Sequence, residues 1–315
     1  MSENPFDLDN EVLEYIRRSA QYSPDLPPGQ KPTIEVSRAC YGKICEAFHQ
    51  PYPQGVTGTD GQVETVMHSI PVRTYHWQNQ PSKVAIAYYH GGGYVLGNLE
   101  THDSICAELC ANTGLSVVAV DYRLAPEHIH PAQIEDSVAA FQFIAKEYDE
   151  VIVAGDSAGG NLSAGICLQT RGSEHRPLGQ LLIYPTLGGE LLDLDSYREM
   201  GHAPLLSADD MNEYLNQRSG GEPPRDDPIF SPIIASDFSD LPVCYAFSAD
   251  VDPLRDDARV YVDKLTDAGV EAHYVNATGL VHGHLRARHS SEKARAQFDA
   301  ICDAARRIAA MAETG

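Results

Sequence analysis

The stretch 151-VIVAGDSAGGNLSAGICLQT-170 decides the fold, because it joins an apolar strand to a helix through a serine flanked by glycines. VIVA is typical of a buried strand, and the residues from Asn161 onward have helical spacing. Where a strand turns sharply into a helix, side chains two residues before and after Ser157 would collide with the turn, so glycine stands there. We therefore predict that Ser157 is exposed at the apex of a strained turn, with the amide end of the helix directed at it. The alternative is a tight glycine turn whose serine only caps the helix.

Secondary-structure patterns divide the chain into an N-terminal helical part and a longer part in which strands and helices alternate. Two amphipathic helices are predicted at 8–19 and 33–48, and residues 63–77 have the pattern of two antiparallel strands. Further strands are predicted at 84–90, 116–122, 151–156, 180–186, 243–249 and 271–277, and further helices at 131–148, 161–170, 252–269 and 290–313. This alternation indicates an α/β fold with a mostly parallel sheet covered on both faces.

An insert and the N-terminal helices stand outside this alternation. Ligands of mostly parallel sheets bind at the carboxyl ends of the strands, where the loops HGGG, GDSAGG, ADVD and LVHGH all fall. The insert at 188–228 contains a predicted helix near 207–217. We expect residues 1–55 and 188–228 to form a helical cap over these strand ends. Residues 56–187 and 229–315 are expected to form the α/β domain that carries the site.

Composition limits the classes of partner and the location. The chain has 23 basic and 45 acidic residues, and this net charge of −22 disfavours nucleic acid and anionic membrane as partners. Neither a basic region followed by an apolar stretch nor a run of about 18 apolar residues is visible, so a signal peptide and a transmembrane helix are not expected. The seven cysteines lack CxxC spacing. Free, mostly buried thiols, no metal site and a cytoplasmic location are therefore predicted.

The predicted strand VAIAYY is followed by a histidine and three glycines. Consecutive glycines lose much conformational freedom on folding, so their presence indicates a specific role for this loop. When a hydroxyl attacks an ester carbonyl, the carbonyl oxygen becomes an anion, and backbone N–H groups of glycines can approach it closely. We predict that Gly92, Gly93 and the residue after the serine, Ala158, donate these hydrogen bonds. Gly91 is expected to shape the turn, and His90 to orient the loop by hydrogen bonding without acting as a base. A phosphate-binding loop is disfavoured because no GK[ST] follows.

A serine hydroxyl needs a base, and the base needs a partner. His282 follows the last predicted strand and stands at the correct edge of the sheet, with His284 as a close rival. The chain order Ser, Asp or Glu, His favours this place for the base. The segment FSADVDPLRDD offers Asp250, Asp252, Asp256 and Asp257 as the acid. Asp252 precedes a proline and suits a helix N-cap as well as catalysis; it is the first choice, with Asp250 as the runner-up.

The motifs HGGGYVLGNLETHD, DYRLAPEH, GDSAGGNL, DPLRD and HGH, in this order, resemble the hormone-sensitive-lipase-like family of α/β-hydrolase carboxylesterases over residues of about 60 to 312. The resemblance implies an α/β-hydrolase fold with a helical cap, and a catalytic triad of Ser157, Asp252 and His282. It implies hydrolysis of short- to medium-chain acyl esters through an acyl-enzyme, without a cofactor. It also decides between the aspartates, since the acid of the family precedes Pro-Leu.

The resemblance also bears on the oligomeric state, on the DYRLAPEH segment and on the HGH motif. Members of the family are often dimers, which allows a homodimer here. Arg123 and Glu127, in DYRLAPEH, are expected to brace the loop as a pair. The family commonly has HGF where this chain has HGH, which leaves the role of His284 open. The alternatives to an esterase are an amide, carbamate or acetylated-sugar hydrolase on the same site, and a non-catalytic ligand receptor, although such receptors usually have a degraded triad.

Overall fold

The computed structural model describes residues 4–27, 30–78 and 80–312. Within them, one sheet is formed by β1 (Val56–Glu64), β2 (Ser69–Trp77), β3 (Val84–Tyr89), β4 (Ser116–Val120), β5 (Glu150–Asp156), β6 (Gly179–Ile183), β7 (Val243–Val251) and β8 (Ala272–Val281). The strands lie in the order β1-β2-β4-β3-β5-β6-β7-β8. Strand β2 pairs antiparallel with β1 and β4, and the remaining neighbours are parallel. The predicted mostly parallel sheet is confirmed.

Helices connect these strands and form the N-terminal part. In the described residues they are α1 (Asn10–Ala20), α2 (Ile34–Ala47), α3 (Leu99–Thr113), α4 (Ala132–Glu147), α5 (Ala158–Gln169), α6 (Asp195–Glu199), α7 (Ala208–Ser219), α8 (Arg255–Asp267) and α9 (Glu292–Met311). Short 3₁₀ turns lie at Gly189–Leu192, Pro232–Ile234 and His284–His289. The pattern of two N-terminal helices, a helix inside the insert and a long last helix agrees with the prediction.

Several helices differ from the prediction. Helix α6 lies where no helix is predicted, and α5 begins at Ala158, before the predicted start at residue 161. Helix α3 is not among the predicted helices, although a capping box at Asn98 begins it and a left-handed Gly114 ends it. Helix α8 begins at Arg255, later than predicted, because the Asp252 carboxylate accepts the N–H of Leu254 before the first helical turn. The predicted end of the last helix, residue 313, lies outside the described residues.

Both faces of the central strands β3, β4, β5 and β6 are buried, as their apolar sequences require. On β3, Ala87 belongs to a core that also contains Phe141 of α4 and Leu162 of α5. Its neighbour Ile86 belongs to a second core, which contains Ile301 of α9. Because successive side chains of a strand point to opposite faces, each central strand contributes to both cores. This burial of the central strands positions the carboxyl ends of β3 and β5 next to each other, with those of β7 and β8 beyond β6 at the same edge of the sheet.

The N-terminal helices pack across these carboxyl ends. Tyr15 of α1 is buried in a cluster with Leu280 and Val281 at the end of β8, and its hydroxyl donates to the carbonyl of Gly283. Helix α2 is attached through Arg38, whose guanidinium donates to the Val95 carbonyl. These contacts place α1 and α2 over the loops that follow the strands.

The expected pairing of Arg123 with Glu127 is wrong. Arg123 forms an ion pair with Asp136 at the start of α4, at 2.8 Å. Glu127 instead accepts two hydrogen bonds of 2.7 Å from the guanidinium of Arg38, which comes from α2. Both side chains still brace the loop between β4 and α4, but through partners distant in sequence.

Two further expectations concern free, buried thiols and the lack of a membrane-spanning helix. All seven cysteines are free, and all except Cys40 are buried, as predicted. Among the described residues, no helix has the length and apolar character needed to cross a membrane.

Candidate active site

Ser157 lies at a strained corner between β5 and α5. Its φ of 55° and ψ of −117° are a conformation that residues with a side chain rarely adopt. A Cβ on Gly155 would collide with the backbone of Gly159, and a Cβ on Gly159 would collide with the carbonyl of Tyr89. The steric reason for the flanking glycines is thus visible in the structure. Ser157 makes no side-chain cap to α5, so the geometry does not favour the alternative of a capping serine.

Three side chains form a hydrogen-bonded chain at this corner. The Nε2 atom of His282 lies 3.0 Å from Ser157 Oγ, and its Nδ1 lies 2.6 Å from Asp252 Oδ2. Asp252 is fully buried, and its Oδ1 accepts the N–H of Leu254 at 2.9 Å, which fixes the carboxylate. Such an arrangement lets Nδ1–H donate to the carboxylate while Nε2 accepts the hydroxyl proton. Ser157 is only 8% exposed, less than expected, because residues of α1, α2 and α7 also line the cavity beside it.

The runner-up acid, Asp250, has a different role in the structure. Its Oδ1 accepts a hydrogen bond from Asn276 Nδ2 at 2.9 Å, and its Oδ2 accepts the N–H of Gly279 at 3.0 Å. Both partners belong to β8, just before His282. Asp250 therefore braces the strand that carries the candidate base.

The remaining acid candidates attach the insert to α8. Asp256 accepts the N–H of Ser196 at 3.0 Å. Asp257 accepts the N–H groups of Leu187 and Gly189, at 2.6 and 3.1 Å. Burial raises the pKa of Asp257 to about 8. Neither carboxylate has a hydrogen bond to His282 within the described residues, so the geometry favours Asp252 as its partner.

His284 is a buried, neutral imidazole. Its Nδ1 lies 3.1 Å from the Val281 carbonyl, and its Nε2 has no partner among the described residues. Burial lowers the pKa of His284 to about 4. Tyr184 packs edge-on against both histidines, with ring centroids 4.8 Å from His282 and 5.0 Å from His284. His284 thus supports the ring beside the candidate base, and the geometry favours His282 for proton transfer.

None of the three glycines after His90 has room for a side chain. We call residues 90–94 the glycine loop. A Cβ on Gly91 would collide with Asp156, one on Gly92 with the Leu96 carbonyl, and one on Gly93 with the Tyr214 ring. The φ angles of Gly92 and Gly93 are 127° and 61°, which favour glycine.

The amides of Gly92 and Gly93 are free to bind an oxygen. Within the described residues, no hydrogen bond is donated by the N–H of Gly92 or Gly93. Ala158 is the first residue of α5, so its N–H has no acceptor inside the helix. Gly92, Gly93, Ser157 and His282 line one cavity of about 390 Å³. This combination suits an oxygen that gains negative charge beside Ser157.

His90 supports the glycine loop from behind. Its Nδ1 lies 2.9 Å from the Gly91 carbonyl, and its ring stacks on Tyr122 with centroids 4.4 Å apart. The Tyr122 hydroxyl donates to the His90 carbonyl at 2.7 Å. Burial lowers the pKa of His90 to about 3. A neutral, enclosed imidazole of this kind orients the loop and is not placed to act as a base.

Sequence reasoning missed the role of Asp156. Its Oδ1 accepts the hydroxyl of Tyr88 at 2.8 Å and the N–H of Gly91 at 3.0 Å, so it ties the glycine loop to the strand that carries Ser157. Burial opposes its ionisation, but nearby His102 and Arg286 hold the pKa of Asp156 below its ordinary value. The only signal was its position beside the serine in GDSAGG. The sequence does not indicate that its carboxylate turns toward a loop more than 60 residues away.

Comparisons with known proteins identify the family of the chain. A model of the α/β-hydrolase fold family matches residues 86–286. The chain is 40% identical over 232 residues to the carboxylesterase NlhH of Mycobacterium tuberculosis, spanning 69% of this chain and 71% of that protein. It is 33% identical over 305 residues to the acetyl esterase of Salmonella schwarzengrund, spanning 92% of each. An esterase structure from Pyrobaculum calidifontis matches with a TM-score of 0.83 at 32% identity, covering 92% of this chain and 97% of that one.

The chain belongs to the α/β-hydrolase fold family. The predicted fold, the resemblance to hormone-sensitive-lipase-like esterases and the class of carboxylic ester hydrolase are confirmed.

Proposed function

We propose that the chain is a serine carboxylesterase that hydrolyses short- to medium-chain acyl esters. The observation that carries this proposal is the continuous hydrogen-bonded chain from Ser157 through His282 to Asp252, which faces unpaired amides in a cavity. A nucleophile, a base, an orienting carboxylate and oxyanion donors are the groups that acyl transfer requires.

The first half of the reaction forms an acyl-enzyme. Ser157 Oγ attacks the ester carbonyl while His282 Nε2 accepts the hydroxyl proton, and Asp252 stabilises the resulting imidazolium. The carbonyl oxygen becomes an anion that accepts hydrogen bonds from the amides of Gly92, Gly93 and Ala158. The intermediate then collapses, and His282 donates its proton to the departing alcohol.

The second half reverses these roles with water. His282 removes a proton from a water molecule, and the hydroxide attacks the acyl carbonyl bound to Ser157. The same amides hold the second oxyanion. The acid leaves when His282 returns its proton to Ser157 Oγ.

The cavity supports a small ester substrate. Its volume of about 390 Å³ is at the low end of ligand pockets. Its walls above Ser157 include Tyr15 of α1, Tyr41 of α2 and Met211 of α7. We infer that residues 1–55 and 188–228 act as a cap, and that residues 56–187 and 229–315 act as the catalytic part. The names of relatives, a carboxylesterase and an acetyl esterase, support this substrate class.

Location and assembly are part of the proposal. A cytoplasmic location, no membrane or nucleic-acid partner, and a homodimer are proposed from the acidic composition and the family. Light scattering on the purified chain tests the dimer, since a mass near that of a single 34.4 kDa chain would contradict it.

The decisive test is Ser157→Ala with p-nitrophenyl butyrate as substrate. Turnover should fall to the rate without enzyme, while thermal unfolding stays close to that of the parent, because only one oxygen is removed. Activity at the parent rate would contradict the mechanism. Matched ester and anilide substrates separate an esterase from an amide hydrolase. Titration with a serine-directed organophosphate separates an enzyme from a ligand receptor.

A further inference from the structure

A buried arginine links the insert to the glycine loop. Arg218 of α7 is fully buried, and its Cζ lies 3.8 Å from the ring centroid of Tyr94 and 4.0 Å from that of Phe230. Its Nη1 donates to the Phe230 carbonyl at 3.0 Å, and its Nη2 donates to Asn161 Oδ1 at 3.2 Å. Within the described residues Arg218 forms no ion pair, and its Nε has no partner. Two aromatic faces, and not a carboxylate in direct contact, flank this cation.

The same face of α7 touches two consecutive residues of the glycine loop. Tyr214 and Arg218 are four residues apart and lie on one side of the helix. The Tyr214 ring occupies the space where a side chain on Gly93 would lie. Arg218 stacks on the next residue, Tyr94. Movement of α7 would therefore change the packing on both residues.

Arg218 also joins α7 to the helix of the nucleophile. Its partner Asn161 follows Ser157 by four residues in α5. The Nδ2 of Asn161 donates to the carbonyls of Thr186 and Phe230, at 2.9 Å each, so its Oδ1 is fixed toward the guanidinium. The arginine thus holds the insert, the glycine loop and α5 in one arrangement.

We propose that Arg218 is a positioning residue for ester hydrolysis. It fixes α7 against the glycine loop, so that the amides of Gly92 and Gly93 stay directed at the oxyanion. Glycines rotate freely, and their amides stabilise a transition state only when surrounding groups hold them in place. This inference rests on the proposed function, because it takes these two amides as the oxyanion donors.

The test is Arg218→Met, which keeps a long side chain between the two rings and removes the charge and both hydrogen bonds. We expect kcat for p-nitrophenyl butyrate to fall about 10- to 100-fold with KM within about twofold, because small displacements of catalytic groups cost this much. Butylboronic acid accepts the Ser157 oxygen at boron while His282 takes the proton, and it mimics the tetrahedral anion. Its Ki should rise by the same factor as kcat/KM falls.

A matched control and a coupling test separate positioning from general damage. Arg225→Met makes the same change at an exposed position of the insert and should leave kcat unchanged. Tyr214→Leu should also lower kcat, and the double variant with Arg218→Met should be much less impaired than the product of the two single effects, because both act through α7. Independent, multiplicative effects would overturn the proposal.

The remaining outcomes are also decisive. A folded Arg218→Met variant with kcat and boronic acid Ki within about twofold of the parent would overturn the inference. Methionine retains much of the buried volume of the arginine side chain, and thermal unfolding checks that the variant is folded. If Arg218→Met does not fold, Arg218→Lys decides, since an ammonium cannot reproduce both hydrogen bonds and should lower kcat severalfold. An inactive Ser157→Ala with an unaffected Arg218 variant refutes only this inference, whereas an active Ser157→Ala refutes the proposed function.

Discussion

The corner at Ser157 and the wall that α2 and α7 contribute to the cavity are built by opposite means. At the corner, backbone collisions forbid any side chain on Gly155 or Gly159, so the chain has one possible shape. We call this wall of the proposed cap the cap wall; it includes Tyr41 and Met211, which pack in two small apolar clusters. The Tyr41 hydroxyl also accepts a hydrogen bond of 2.6 Å from Arg286. Packing tolerates substitution far better than a collision with backbone does. Backbone sterics therefore determine the shape of the corner, whereas we expect replaceable side chains such as Tyr41 and Met211 to affect mainly the choice of substrate.

The largest expected effect is at the corner. In Asp252→Asn the amide no longer holds His282 in the tautomer that accepts the serine proton, so turnover should fall on the order of 10⁴-fold. The loss should be equal for acetate, butyrate and octanoate esters of p-nitrophenol, because the acid acts on the base and not on the acyl chain. Steady-state kinetics with these esters measures it.

A neighbouring carboxylate provides the control for this variant. Asp250→Asn changes the same group two residues away, where it binds Asn276 and Gly279. We expect a much smaller loss of turnover there. Equal losses in the two variants would contradict the assignment of Asp252.

The cap wall should give a smaller and more selective effect. Met211→Ala should enlarge the cavity and admit longer acyl chains. One methylene in an apolar pocket changes the ratio of kcat/KM values roughly tenfold or more. We therefore expect kcat/KM for the octanoate ester relative to the acetate ester to rise about three- to tenfold. The kcat for acetate should stay near that of the parent. Met200→Ala, the same change in the insert away from the cavity lining, should leave the ratio unchanged. A uniform loss for all esters in Met211→Ala would mean that the cap wall also positions catalytic groups.

The smallest kinetic effect is expected at His284. Its pKa is lowered to about 4, so it stays neutral in the range where His282 must accept protons. The pH profile of kcat/KM for His284→Phe should therefore match the parent from pH 6 to 9 within about twofold. A shift of the kinetic pKa by a full unit would show that the second imidazole does influence the base.

The same variant has a defined effect on stability. Because the unfolded chain binds a proton at His284 near pH 6.5 and the folded chain only near pH 4, the parent loses stability as pH falls through this window. A phenyl ring cannot titrate, so the His284→Phe variant should gain about 1 kcal/mol relative to the parent for each pH unit below about 6. Thermal unfolding at pH 7 and pH 5 measures it, with His273→Phe, at an exposed histidine, as the control.

Sequence reasoning was strong where a feature depends on neighbouring residues and weak where it depends on contact between distant ones. The glycines around Ser157 and the loop after β3 could be predicted, because a tight turn restricts the residues that form it. The pairing of Arg123 with Glu127 was wrong, since Arg38 and Asp136 compete for the same side chains from other elements. Helix α3 was missed although its caps are local signals.

The sequence by itself determined the α/β architecture, the strained corner and the order along the chain of the candidate nucleophile, acid and base. Backbone sterics and strand periodicity act over a few residues and are written in the motifs. Tertiary structure alone decided that His282 and not His284 meets Ser157, that Asp156 binds the glycine loop, and that Arg218 is enclosed by two rings. Each of these contacts joins side chains or backbone groups from separate helices, strands and loops. Which partners meet depends on burial and on competition between possible partners, and neither can be read from neighbouring residues.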